Sequence, residues 1–161
     1  MELSEFLRTS SAFEGFTQTD IEVLDRALRV DEHPADHILL REGGKGHVLY
    51  ILMEGEVRVT HEHLSGRGVD ELGVLTAGDV FGLQALLDDR PRFSTCRALT
   101  PVVVASLPKP AFHLLYNQHT ELAEHFQFLV ARQLVRDLRR LDRAIVASVH
   151  GGEVEPLTHV L

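Results

Sequence analysis

The spacing of apolar residues along this chain is typical of strands in the middle and of helices on both sides. This change of spacing constrains the fold more than any other feature. From about residue 28 to 107, short apolar runs alternate with turn signals such as "GGKG", "LSGRG" and "TAGD". Within "GEVRVT", Val57 and Val59 alternate with polar residues, which is the pattern of a half-buried strand, and Gly55 stands where a tight reversal is needed. Turns this frequent favour a compact all-β roll or barrel over parallel β-α-β units.

Helical periods flank this β region on both sides. "FTQTDIEVLDRAL" places Thr17 as an N-cap before apolar residues at helical spacing, which predicts a helix over residues 18–27. After Pro108, "KPAFHLLYNQH" predicts a short helix. A longer helix follows over residues 120–149 with Thr120 as its cap, and at 1.5 Å per residue it would be roughly 40 Å long.

The long helix carries an apolar seam that recurs every three or four residues. Its members are Leu122, Phe126, Leu129 or Val130, Leu134, Leu138, Leu141 and Ile145. The seam can pack on the β region or on a second copy of itself. Because the helix is longer than the β region needs for cover, its length favours a parallel homodimer through residues 120–149.

Composition sets the class of protein. With 161 residues and 44% apolar content, the chain predicts one domain over residues 1–150 and a loose tail over 151–161. A net charge of −8 argues against a surface that gathers nucleic acid. A single cysteine, Cys96, excludes an internal disulfide. The N-terminus lacks a secretory profile and no apolar run reaches membrane-span length, so we expect a cytoplasmic protein without a membrane partner.

The stretch "GDVFGLQALLDDRPRFSTCRAL" groups residues that suit an anion. A helical turn after Gly82 would leave backbone N–H groups free to attract negative charge. Arg92 follows the corner "DDRP" and can fold back across this turn, where its guanidinium would fork onto two phosphate oxygens. Ser94 and Thr95 add hydroxyl donors. The alternative is that Arg92 is a solvated turn arginine near the two preceding aspartates.

The chain from Phe16 to about Val149 resembles the cyclic-nucleotide-binding domain family. "REGGKGHVLYILMEGEVRV", "LTAGDVFG" and "ALLDDRPRFSTCRAL" carry the resemblance, in the family's order and spacing. The resemblance implies a mainly β fold with flanking helices: a jelly-roll-like β-roll followed by a long C-terminal helix. It also implies a regulatory protein and not an enzyme, with residues 81–95 as the phosphate-binding cassette.

The resemblance assigns ligand contacts residue by residue. The ligand-binding positions it implies are Phe81, Gly82, Leu83, Gln84, Ala85, Arg92, Ser94, Thr95 and Asp137. Arg92 would pair with the cyclic phosphate of cAMP or cGMP, supported by Ser94 and Thr95. The nucleotide would be a ligand, and no further cofactor is implied.

Leu83 departs from the family pattern. Nucleotide-binding members usually carry an acid directly after the Phe-Gly pair, where it accepts the ribose 2′-hydroxyl, and a leucine cannot accept that bond. A buried hydroxyl left unpaired costs on the order of 1 to 3 kcal/mol. Gln84 should point elsewhere on a helical turn. The sequence therefore predicts weak nucleotide binding, and the alternative is a fold that has lost the nucleotide and acts as a protein interaction module or senses another ligand.

In the dimeric transcription-factor branch of the family, one turn of the long helix caps the base. Counting along "FLVARQLVRDLRRL" places that cap near Asp137 and Leu138, and a carboxylate there could accept from an exocyclic amine. The alternative for Asp137 is an ordinary surface partner for Arg140 or Arg136. The arginines of this helix are predicted to form a solvated face with intrahelical pairs to Asp137 and Asp142; they are Arg132, Arg136, Arg139, Arg140 and Arg143.

The transcription factors append a winged helix-turn-helix, whereas about a dozen residues follow the predicted long helix here. We therefore expect a stand-alone sensor without direct DNA binding, whose output passes through the dimer or a separate effector protein.

A metal-enzyme interpretation rests on "GEVRVTHEH", in which His61 and His63 match the opening of the cupin motif. The glutamate that the motif requires would fall at Arg67 or Gly68, and the second motif is missing. We expect no metal site, and we expect Cys96 to be a small core residue rather than a nucleophile.

Overall fold

The computed structural model describes residues 1–63, 66–83 and 89–149. The helices and strands within these ranges are α1 (Leu3–Thr9), a 3-10 turn (Ser11–Phe13), α2 (Gln18–Ala27), β1 (Arg29–His33), β2 (Ile38–Leu40), β3 (Val48–Glu54), β4 (Val57–Glu62), β5 (Val69–Leu75), β6 (Val80–Phe81), β7 (Thr95–Ala98), β8 (Val102–Pro108), α3 (Lys109–Gln118) and α4 (Thr120–Val149). No helix among the described residues has both the length and the apolar character needed to cross a membrane.

The described strands form two antiparallel sheets of four strands each. One sheet has the order β1-β8-β3-β6 and the other has the order β2-β7-β4-β5. Helices flank them at both ends of the chain, and the predicted mainly β fold with a long C-terminal helix is confirmed. The β region runs from Arg29 to Pro108, within one residue of the predicted bounds.

Strands β3 and β8, which are neighbours in one sheet, are buried on both faces of that sheet. Along β3, Leu49 and Ile51 belong to a core shared with the helices, whereas Leu52 belongs to a second core between the two sheets. In β8, Leu107 faces the first core and Val104 the second. This explains the nearly continuous apolar runs "VLYILM" and "VVVASL", since both faces of these strands must exclude water.

Two local predictions are confirmed: Thr17 as the N-cap of the helix before the β region, and Gly55 as the site of a tight turn. Thr17 caps α2 by accepting a hydrogen bond from the backbone N–H of Asp20, and the Asp20 carboxylate accepts one from the backbone N–H of Thr17 at 2.8 Å. Asp20 also accepts from Nδ1 of His125 at 2.8 Å, which ties α2 to α4. Gly55 has φ +86°, and a side chain there would come within 2.3 Å of the Pro101 carbonyl oxygen.

Two short elements at the N-terminus were not predicted. In α1, Leu3, Phe6 and Leu7 are buried in the core on the helix side, and the rings of Phe6 and Phe13 meet edge to face at 6.4 Å. A helix of seven residues is too short to show a clear period or to be stable alone. Packing against the rest of the core stabilises it.

The seam of α4 divides between two environments. Its first half packs on the β-roll, with Leu122, Phe126 and Leu129 buried in the helix-side core. Farther along, Leu138 is 61% exposed. Packing on the roll, one of the two predicted alternatives, therefore applies to the first half of the seam and not to Leu138. Thr120 is the first helical residue and not the cap.

Candidate functional site

A cavity of about 460 Å³ is lined by the β2-β7-β4-β5 sheet, the segment from Phe81 to Leu83, the segment around Arg92, and α4. Its walls are mostly apolar; they include Leu40, Val59, Leu72, Leu75, Leu134 and Leu141. Polar groups are concentrated at Arg92 and Ser94 and at Asp137 and Arg140 on α4. Few polar groups in an apolar cavity are typical of a small-molecule site.

Arg92 is buried in the lining of this cavity, with only 6% of its surface exposed. Its Nη1 donates to the Gly82 carbonyl oxygen at 3.0 Å and its Nη2 donates to the Val48 carbonyl oxygen at 3.1 Å. The sequence alternative of a solvated turn arginine is therefore wrong. The guanidinium does fold back across Gly82, as the corner before it predicted.

The charge of Arg92 is incompletely compensated. Its Nε is buried without a hydrogen-bond partner, and no carboxylate lies within ion-pair distance of it among the described residues. Burial lowers the pKa of Arg92, but a guanidinium remains charged in proteins. Because a buried charge is costly unless it is paired, the site has an electrostatic need that a bound anion would meet.

The turn before Arg92 is tightly packed. Phe81 and Leu83 are buried and line the cavity. Gly82 has φ +79°, and a Cβ there would approach the Val48 carbonyl oxygen to 2.7 Å. Only glycine therefore fits at the point where the main chain meets Arg92. Gln84 and Ala85, with the predicted helical turn of free N–H groups, lie outside the described residues.

The two predicted hydroxyl donors have different surroundings. Ser94 lines the cavity beside Arg92. Thr95 is absent from the described lining, and its Oγ1 accepts a hydrogen bond from the backbone N–H of Glu42 at 3.0 Å. The structure thus brings Ser94 to Arg92, while Thr95 anchors the loop that precedes β3.

Phe93 is a cavity residue that the sequence interpretation missed. It is 52% exposed, and its ring stacks on His61 at 4.4 Å with an interplanar angle of 11°. Nδ1 of His61 donates to the Phe93 carbonyl oxygen at 2.8 Å and lies 3.0 Å from Glu42 Oε1. The sequence could have indicated Phe93, because it stands between Arg92 and Ser94, which were both predicted at the site and both line the cavity.

The histidines considered as metal ligands have other partners. Besides the contacts of His61, Nε2 of His63 lies 2.9 Å from Asp70 Oδ1. In the part of the chain that the structure describes, no three His, Cys, Asp or Glu side chains are grouped so that they could hold a metal ion.

Asp137 pairs with Arg140, as one of its two predicted alternatives stated, and it also lies at the cavity wall. It lines the cavity, and its Oδ1 accepts hydrogen bonds from Gln133 at 2.9 Å and from Arg140 at 3.3 Å. Burial raises the pKa of Asp137, and the bonds from Gln133 and Arg140 oppose that shift. A partly buried acceptor on α4 therefore faces the cavity.

The predicted intrahelical pair between Arg140 and Asp137 is present, and Arg136 is exposed, but three arginines of α4 also make contacts outside the helix that were not predicted. Asp79, buried in the turn before β6, accepts from Arg140 at 2.7 Å and from Arg136 at 3.5 Å. Arg132 donates to the Ala12 carbonyl oxygen. Beside them, Gln133 accepts from the backbone N–H of Val80 at 3.1 Å. These contacts attach the helix to the roll, and the sequence could not reveal them because their partners lie more than fifty residues away.

The profile of the cyclic nucleotide-binding domain matches residues 30–119. The chain belongs to this family. A relative in Mycobacterium tuberculosis, the CRP-like cAMP-activated global transcriptional regulator, is 28% identical over 149 residues, which cover 92% of this chain and 66% of the relative. The cAMP-dependent protein kinase regulatory subunit of Colletotrichum orbiculare is 33% identical over 111 residues, which cover 69% of this chain and 27% of the relative.

A solved structure supports the same architecture. The cyclic nucleotide-binding domain from Methylobacillus flagellatus superposes with a TM-score of 0.78 at 23% identity, covering 98% of this chain and 85% of that one. The family assignment implies a small-molecule ligand, and the cavity is where the described residues offer space for one.

The reactivity of Cys96, which lines the cavity, measures how well the cavity wall at β7 is shielded from solvent. It is buried in the core between the sheets, as predicted, and burial raises the pKa of its thiol to about 12. Because the thiolate is the reactive form, we expect the native protein to react negligibly with an aromatic disulfide reagent at pH 8, and one thiol per chain to react at once in urea. Rapid reaction of the native thiol would show that solvent reaches Cys96 and would contradict its burial.

Proposed function

We propose that this chain is a regulatory module, not an enzyme, that binds cAMP or cGMP weakly in the cavity and signals through a helix-mediated dimer or a separate effector protein. The observation that carries the proposal is the buried guanidinium of Arg92, whose Nε has no partner among the described residues. Family membership supports the ligand class.

The cyclic phosphate would lie against Arg92 and Ser94. Charge-assisted hydrogen bonds from a guanidinium to phosphate are about twice as strong as neutral ones, and here they would form away from bulk water. The apolar walls would cover the sugar and the base as they extend toward α4. There Asp137 would accept a hydrogen bond from an exocyclic amine of adenine or guanine.

Leu83 is the reason that we propose weak binding. It is 6% exposed and lines the cavity next to Gly82, where it offers no acceptor for a ribose 2′-hydroxyl. A hydroxyl that leaves water without a new partner loses on the order of 1 to 3 kcal/mol. A nucleotide that lacks the 2′-hydroxyl would not lose this energy.

Calorimetric titration with cAMP and cGMP tests the proposal. We expect the native protein to bind at least one of them, and Arg92→Ala to lose about tenfold to a hundredfold in affinity, because charge-assisted bonds contribute about 1.5 to 3 kcal/mol. Arg97→Ala is a matched control, since Arg97 is exposed on β7 and donates to the Asp36 carbonyl oxygen outside the cavity. Unchanged affinity in Arg92→Ala would place the ligand elsewhere.

Leu83→Glu tests the missing ribose contact. A carboxylate beside Gly82 restores an acceptor, so the affinity should rise about tenfold to a hundredfold, and Leu83→Gln should give a smaller gain. Both gains should disappear with the 2′-deoxy nucleotide, which lacks the hydroxyl. Tight native binding that weakens in Leu83→Glu would mean that another group already serves the ribose.

The apolar walls and Leu83 favour a second candidate function. A cavity with one buried cation and few other polar groups also suits a different anionic ligand, and a fold that has lost its nucleotide can act as a protein interaction module. If calorimetry detects no binding of cAMP or cGMP to the native protein, this second function replaces nucleotide binding as our proposal.

We also propose a homodimer through α4, supported by apolar side chains that the roll does not cover. Phe128 is 75% exposed, and Val135 and Leu138 follow it on the same helix face at spacings of seven and three residues. Of these three, only Leu138 belongs to the predicted seam; Leu134 and Leu141, which the sequence placed in that seam, line the cavity instead. The net charge of −8 favours output through this surface or a partner protein over contact with DNA.

Replacing Val135 and Leu138 together with Glu tests this dimer. Light scattering should find the native protein dimeric at micromolar concentration and the variant monomeric, since each buried aliphatic side chain contributes about 1.5 to 3 kcal/mol. Arg143→Glu is the control, because it adds an acid at an exposed position on the flank of the same helix. A monomeric native protein would contradict the proposal.

A further inference from the structure

The loop between β2 and β3 holds the backbone of Arg92. The N–H of Gly43 donates to the Arg92 carbonyl oxygen at 2.8 Å, and the N–H of Arg92 donates to the Gly44 carbonyl oxygen at 3.0 Å. Glu42 anchors the start of the same loop, because its side chain accepts from the backbone N–H of Glu62 at 2.9 Å. The main chain at Arg92 is therefore held by this loop, and Glu42 attaches the loop to β4.

Gly46, at the end of this loop, meets the guanidinium itself. A Cβ at Gly46 would lie 2.5 Å from Nη2 of Arg92, 2.6 Å from its Nε and 2.9 Å from its Cζ. The backbone of Gly46 does not adopt a positive φ, so backbone conformation does not require glycine there. The requirement is spatial, because the guanidinium occupies the volume that any side chain would need.

We propose that Gly46 is a positioning residue for the anion contact of the cavity. Without a side chain at this position, the guanidinium can lie against the loop with Nη1 on the Gly82 carbonyl and Nη2 on the Val48 carbonyl. This inference rests on the proposed role of Arg92 in binding the ligand and identifies what sets the direction of its donors.

The added methyl group of Gly46→Ala would act on the side chain and not on the fold. The atoms that it meets are the far end of a flexible side chain, so the guanidinium can move while the loop stays in place. Such a move breaks the hydrogen bonds to the Gly82 and Val48 carbonyls and turns Nε away from its present direction. A displaced donor loses most of its value to a ligand held in a fixed cavity.

The first arm of the experiment needs no ligand. In ¹⁵N-labelled protein, the Nε–H resonance of Arg92 is assigned as the one that disappears in Arg92→Lys, and its exchange with water is measured. We expect Gly46→Ala to shift this resonance and to accelerate its exchange. Gly15→Ala is the control, because a Cβ there meets nothing within 4 Å while its φ of +92° still lowers stability. An unchanged Arg92 resonance in Gly46→Ala would overturn the proposal.

The second arm is a double-mutant cycle with cAMP as the probe. Gly46→Ala should weaken binding about tenfold or more in the native background and less than about twofold in the Arg92→Ala background, because its effect passes through the guanidinium. Equal losses in both backgrounds would overturn the proposal. If the native protein binds neither cAMP nor cGMP while the Arg92 resonance responds to Gly46→Ala, the proposed function fails and the positioning role stands.

A folding failure is also informative. If Gly46→Ala does not fold, the double variant Gly46→Ala with Arg92→Ala should fold, since the clashing guanidinium is gone. A double variant that also fails to fold would show that the loop itself rejects the methyl group, and the positioning role would be wrong.

Discussion

The buried charge of Arg92 is the constraint on which the rest of the site depends. The guanidinium of Arg92, a residue with 6% exposure, is tolerated because two backbone carbonyls accept hydrogen bonds from it. The backbone of Arg92 is held by separate hydrogen bonds to Gly43 and Gly44. Gly82 and Gly46 make the burial of the guanidinium possible, since a side chain at either position would collide with a carbonyl or with the guanidinium. The charge remains undercompensated at Nε, which supports the proposed contact between Arg92 and an anionic ligand.

The long helix α4 lines the same cavity, and the contacts that hold it to the rest of the protein differ along its length. Its first half is held by buried apolar residues such as Leu122 and Phe126, each contributing about 1.5 to 3 kcal/mol. The half that lines the cavity is held largely by polar contacts of Gln133 and Arg140. Because Asp79 is buried, a movement of this half would leave its carboxylate without the ion pairs from Arg136 and Arg140. The same segment of α4 lines the cavity and carries the exposed Leu138, which supports the proposed output through that face.

The architecture could be predicted from sequence because its signals are local. Alternation in β4, the turn glycines and the helical period after Pro108 each depend on residues that are close in the chain. The bounds of α2 were predicted as the structure shows them, and those of α4 differ only in the role of Thr120. The helix α1 could not be predicted, because seven residues carry too little periodicity and their stability comes from packing against distant side chains.

The sequence by itself determined the roll, the long helix and the neighbourhood of Gly82, Arg92 and Ser94, because turn chemistry and spacing restrict a short segment to few conformations. Only the tertiary structure decided which groups face the cavity. It placed Phe93 in the lining, assigned Thr95 to the loop before β3 and directed Arg140 to Asp79. Such partners come from separate elements, and the direction of each side chain is set by excluded volume and burial after the sheets and α4 have packed together.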